Sequence, residues 1–125
     1  MAFSITLPAS KSYAERIALW SPSTLLALAG VGVLEIREAK KVGGNPAVRR
    51  YLVKEEAGRP SHERVFAMTK AGDSEDDPKR YVCLNLKERS LDLCDCKWGL
   101  AGGDCAHKQA FRGLLTKGFL PPAGA

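Results

Sequence analysis

Two periodicities divide the chain. Before Val31 the apolar positions recur at helical spacing: in Y-A-E-R-I-A-L-W, Tyr13, Ile17 and Trp20 stand at i, i+4 and i+7, the stripe that one face of a helix would bury, with Ser10 or Ser12 as its cap. Pro22 then opens a second short helical stretch, S-T-L-L-A-L-A-G, with Ser21 as cap and Gly30 near its end. A helix this apolar needs a sheet to pack on. From Val31 the period falls to two. Val33 to Val42 and Val48 to Glu55 flank the turn G-G-N-P and predict a β-hairpin. A third strand over Glu63 to Thr69 follows the breaker G-R-P-S, and the acidic stretch A-G-D-S-E-D-D-P-K predicts a surface loop. Arg80 to Leu86 and Ser90 to Cys94 predict a second hairpin. Helical spacing returns at the end, where Ala106, Ala110 and Leu114, joined by Phe111 and Leu115, form an inward stripe behind an Asp104 cap. Pro121 and Pro122 cannot continue that helix, and Phe119 and Leu120 are expected to fold back on the core.

Composition bounds this picture without changing it. The 125 residues, 45% apolar and 26% charged, suit one compact unit with a modest core. The opening M-A-F-S-I-T-L-P-A-S-K-S lacks the charged start and apolar run of a secretory signal. The longest apolar stretch, Leu25 to Leu34, is far short of the roughly 20 residues a membrane span requires. An intracellular location (cytoplasmic, or associated with nucleoid or nucleus) is the expectation, and a reducing compartment favours metal ligation over disulfides for clustered cysteines.

The chemistry lies between Cys94 and His107, where C-D-C-K-W-G-L-A-G-G-D-C-A-H holds three of the four cysteines and one of the two histidines. Cys94 and Cys96, two apart in extended backbone, point to one side. Glycines 99, 102 and 103 let the chain turn back so that Cys105 and His107 can complete a set of four. Three thiolates and an imidazole are the donors of a closed, tetrahedral structural Zn2+ site, one ion per chain, with no position left open for a catalytic water. Cys83, in the strand ahead, is expected to be a small core residue, and His62 an exposed loop residue. The sequence D-S-E-D-D lacks the ligand spacing of a calcium loop. No nucleophile, base and orienter fall together, so no enzyme activity and no small-molecule substrate are expected.

The pattern C-x-C-x(8)-C-x-H, preceded by a hairpin and followed by a helix with Ala110 three residues after the histidine, resembles the SWIM zinc finger. The resemblance covers Tyr81 to Lys117. Ala106 stands where the family usually has a lysine, and Lys108 where it has an apolar residue. It implies a ββα zinc module that binds DNA or protein, found in DNA-processing and mobile-element settings. The expected fold is therefore α+β: N-terminal helices packed on an antiparallel sheet of four or five strands, with a C-terminal ββα zinc-finger unit. Its parts are residues 1–78, the finger at 79–118 and a tail at 119–125.

The formal charge of +5 is compatible with nucleic acid but does not require it. Lys40, Lys41, Arg49 and Arg50 flank the first hairpin's turn, where they could neutralise phosphates or simply guard a solvated edge. Lys108 and Arg112 lie on the helix face away from the apolar stripe. Trp98 sits between the ligand pairs, where it could stack on a base or a partner side chain, or shield the ion. Nucleic acid, DNA first, is the expected partner. A protein partner is the alternative.

Overall fold

A computed structural model describes residues 3–8, 13–22, 32–41, 43, 45, 47–56, 63–70, 80–96 and 105–120. Seven strands, β1 (Phe3–Leu7), β2 (Tyr13–Pro22), β3 (Gly32–Lys40), β4 (Ala47–Glu55), β5 (Glu63–Lys70), β6 (Arg80–Asn85) and β7 (Leu93–Cys94), pair antiparallel in chain order. A single 3-10 turn at Arg89–Leu91 lies between β6 and β7, and α1 (Ala106–Thr116) follows. The helix touches β1 at one side of the sheet and β6 and β7 at the other. In a flat sheet β1 and β6 would stand about 24 Å apart, roughly twice a helix diameter. The sheet therefore curls into a half-barrel, and α1 lies in its concavity.

This corrects the expected architecture. Among the described residues no N-terminal helix packs on a sheet: Tyr13–Pro22 is β2, paired with β1 from Phe3↔Trp20 to Leu7↔Arg16 and with β3 along its other side. Its buried positions are Arg16, Ala18 and Trp20, a period of two that the inward arginine disguises. Arg16 is accommodated because its Nε donates to Glu38 Oε2 at 2.8 Å across the β2–β3 ladder. β1 occupies a stretch to which the periodicity assigns no element. Ser21 and Pro22, expected to open the second helix, end β2 instead; the rest of that helix, the caps Ser10 and Ser12, His62 and the acidic stretch lie outside the described residues.

The later strands agree with the alternation. β3 to β6 fall on the four predicted segments, and Gly43 at φ 49° supplies left-handed backbone at the first hairpin's turn. The last strand is shorter than predicted. Asp92 Oδ1 accepts the Asn85 backbone N–H at 2.8 Å, so a side chain replaces the ladder there and pairing is confined to Val82↔Cys94 and Cys83↔Leu93.

The core fills the space between the sheet's concave face and the helix. Trp20, Leu34, Ile36, Phe66, Met68, Val82 and Leu84 meet Ala110, Phe111 and Leu114. Phe111 stacks on Phe66 with centroids 4.6 Å apart and meets Trp20 edge-on at 6.5 Å. At Gly113 a Cβ would fall 2.6 Å from Ile5 Cδ1, so the missing side chain lets α1 sit close on β1. Beyond the helix, Leu120 is buried and Phe119 stacks on Phe3. Among the described residues no helix is long and apolar enough to cross a membrane.

Candidate metal centre

The half-barrel brings the end of β7 against the start of α1, and four side chains converge at that junction. One donor atom each from Cys94, Cys96, Cys105 and His107 lies within 4.8 Å of the other three, and all four residues are buried. The sequence-predicted ligand set is thus assembled as a group able to hold one metal ion.

Each ligand has a local reason for its position. Asp95, between the first two cysteines, is held outward: Tyr81 N–H donates to its carboxylate at 2.8 Å, and Asp95 N–H donates to the Tyr81 carbonyl at 3.1 Å. With the middle residue fixed on one side, Cys94 and Cys96 are presented together on the other. Cys105 is the N-cap of α1, with extended backbone, and its sulfur accepts the Lys108 backbone N–H at 3.4 Å. Asp104, the expected cap, lies outside the described residues. His107 comes off the first helical turn with Nδ1 3.9 Å from Cys94 Sγ. Ligand bonds of about 2.3 Å to a tetrahedral ion imply edges of about 3.8 Å, so this separation fits the group.

The electrostatics favour thiolate at the helix end. A hydrogen bond from Cys94 holds the Cys105 thiol far below its ordinary range, against the opposing effect of burial and with help from His107 and the Lys108 N–H. The same bond pushes Cys94 up, and burial adds to it. In this arrangement Cys94 keeps the proton that the pair shares. A dication at the centre would displace that proton and offset two of the three thiolate charges.

No protein-family model, curated protein or solved structure matches the chain. What the site can do is therefore read from its own chemistry. Four protein donors complete a tetrahedral coordination, and thiolate-rich closed sites hold ions for structure.

The donors continue into a supporting layer that the spacing does not reveal. His107 Nε2 lies 2.8 Å from Tyr51 Oη on β4, and the two rings meet edge to face with centroids 5.0 Å apart. Burial raises the Tyr51 hydroxyl above its ordinary pKa, with Arg49 opposing and Glu38 adding to the rise, so it stays a protonated phenol. Asp92 joins the hairpin to the helix by accepting Arg112 Nε at 2.7 Å and Nη2 at 2.5 Å, while Nη2 also reaches the Asn85 carbonyl at 2.8 Å. The polar-face position of Arg112 was legible. Its partner was not.

The remaining candidate contacts are spread over the surface. Arg49 pairs with Glu38, which also holds Arg16, on the concave side of the sheet, and Arg16 Nη1 reaches Gln109 Oε1 of α1 at 3.1 Å. Arg50 and Arg37 both pair with Glu35 on the opposite face. Lys40 and Lys41 are exposed near the hairpin turn. Trp98 lies outside the described residues, and Cys83, half-buried in β6, is not part of the ligand group. Lys108 and Arg112 do come together: with Arg89, Ser90, Asp92 and Gln109 they line an open cleft of about 320 Å³ between the 3-10 turn and α1. Arg89 is exposed and, among the described residues, makes no ion pair. It escaped the sequence reading because a single arginine in a turn has no periodic signature.

Proposed function

We propose that the chain is a zinc-dependent binding module of the SWIM-like type, in which one structural Zn2+ fixes the hairpin-to-helix junction and the surface beside it engages nucleic acid. The observation that carries the metal half is the convergence of four buried donors within 4.8 Å, in the order hairpin, C-x-C, C-x-H, helix. Three sulfurs and one ring nitrogen suit Zn2+ and leave no open position, which supports a structural rather than a catalytic ion. Cys94, Cys96, Cys105 and His107 would hold it, and the chemistry it supplies is coordination alone. Protein purified without chelator is expected to contain about one zinc per chain. A folded chain without near-stoichiometric zinc would remove this reading.

The nucleic-acid half is supported by the cleft beside the site. Arg89, Lys108 and Arg112 line it, and its one carboxylate, Asp92, is already engaged by Arg112 and the Asn85 N–H. A phosphate group would meet cationic walls there, and DNA is the first polymer to test. Fluorescence anisotropy with a labelled oligonucleotide is expected to show affinity that falls linearly on a log–log salt plot. Arg89→Glu is expected to weaken it by more than tenfold, since a phosphate contact is lost and a repulsion gained. Zinc-loaded protein that binds no oligonucleotide at low salt would exclude the nucleic-acid half and leave the metal half standing.

One feature favours a protein partner as the second reading. Tyr81, Leu86, Leu91 and Leu93 are exposed apolar side chains within the finger's hairpin, Leu93 at 64%, and such side chains suit a protein contact better than a phosphate backbone. A stoichiometric protein that survives nuclease treatment of a native lysate would support it.

A further inference from the structure

We infer that Tyr51 is a positioning residue of the metal centre, acting from the middle of the sheet to fix which nitrogen of His107 faces the ion. The inference rests on the metal reading and adds a residue from well outside the ligand segment.

His107 presents its two nitrogens to different neighbours. Nδ1 faces the sulfurs, 3.9 Å from Cys94 Sγ, and Nε2 faces Tyr51 Oη at 2.8 Å. A neutral imidazole carries one proton, so Nδ1 can offer its lone pair to a metal only when that proton is on Nε2. Nε2 then needs an acceptor, because both residues are buried and water does not reach them freely. The phenol oxygen accepts it at hydrogen-bond distance. The edge-to-face contact of the rings, at 5.0 Å and 87°, restricts rotation of the imidazole about its side-chain bonds. Tautomer and orientation are therefore both set by one residue. Metal-bound histidines generally donate their second N–H to an oxygen, and loss of that oxygen weakens metal binding about 10- to 100-fold.

Tyr51 is itself held in place. It lies on the concave face of β4, in register with Leu34 of β3 and Lys70 of β5. Two residues back along the strand, Arg49 is tied to Glu38, which is tied in turn to Arg16. The helix's main contacts are with β1, β6 and β7, so the Tyr51–His107 bond connects the helix start to a strand it otherwise barely meets. Zinc affinity then depends on the sheet's central strands as well as on the four ligands.

The test uses the full-length chain with Tyr51→Phe, which keeps the ring and removes only the oxygen. Competition against a chromophoric chelator is expected to show zinc binding weakened about 10- to 100-fold. The nitrogen NMR spectrum of the zinc-loaded wild type is expected to report His107 protonated at Nε2 and metal-bound at Nδ1, and the variant to lose the slowly exchanging Nε2 proton. Val53→Ala, a core truncation two positions along β4, is the control for general loosening and is expected to leave that proton signal in place. Wild-type zinc affinity in Tyr51→Phe, or loss of the signal in Val53→Ala as well, would overturn the inference. A wild type that binds no metal would instead bring down the metal reading itself.

Discussion

Arg112 shows how much a residue's surroundings decide its role. On a helical wheel it is a polar-face cation, equally suited to solvent, to a phosphate or to a carboxylate. The fold places it against Asp92, twenty positions earlier in the chain, with a two-point contact between side chains that are 12% and 3% exposed. Removing one partner of such a pair leaves a buried charge uncompensated. Arg112→Leu is therefore expected to lower unfolding stability by about 3 kcal/mol in urea titrations, an effect that a purely phosphate-binding arginine would not show. The four metal donors were legible from sequence because coordination is local here: type and spacing lie within one short segment. Tyr51 and Asp92 were not, because a tyrosine on an inward strand position is ordinarily a core residue and an aspartate within a predicted strand carries no signal of a partner twenty residues on. Trp20 adds a further detail. Its indole N–H is buried without a hydrogen-bond partner among the described residues, and its ring meets Phe111 edge-on, so packing contributes to holding it there.

Among the elements, β3 carries an acid on each face of the sheet, and each acid is bracketed by two arginines. Glu38 lies between Arg16 and Arg49, and Glu35 between Arg37 and Arg50. Burial pushes the Glu35 carboxyl up, but hydrogen bonds from Arg50 and Arg37 and their charges outweigh it, and the net displacement is below the ordinary value of 4.5. A carboxyl depressed in the folded state stabilises the fold above its unfolded pKa, and that contribution disappears as pH falls through the folded value. Both arginines are more than half exposed, so the effect is modest. Glu35→Gln is expected to cost about 1 kcal/mol near neutrality in low salt, with the difference from wild type shrinking as acid unfolding curves descend below pH 4.5. The same interleaving of charge explains why β2 read as a helix. Tyr13, Ile17 and Trp20 satisfy a 3.6-residue period, and the competing alternation of Arg16, Ala18 and Trp20 requires an inward arginine whose partner, Glu38, belongs to another strand. In β6 the inward residues Val82 and Leu84 are apolar, and the alternation was read correctly. In β2 the inward arginine of an ion pair sets local pattern against tertiary burial.

At the scale of the molecule, the order of strands makes the sheet a succession of hairpins that the last helix must close. The ion, held between β7 and the start of α1, would fasten that closure. Zinc that bound the folded junction rather than the unfolded chain would, at about a thousand times its dissociation constant, add about 4 kcal/mol to stability. Chelation is expected to reduce the unfolding free energy by a comparable amount, measured by circular dichroism in urea with and without a strong chelator. A further consequence concerns self-association. β7 has two residues and forms one margin of the sheet, so it offers a second chain almost no backbone to pair with. Asp92 ends the ladder on one side, and on the other Cys94 and Cys96 belong to the metal-ligand group. Metal-stripped protein is accordingly expected to raise thioflavin fluorescence more than metal-loaded protein does: a bound ion would guard this margin against polymerisation.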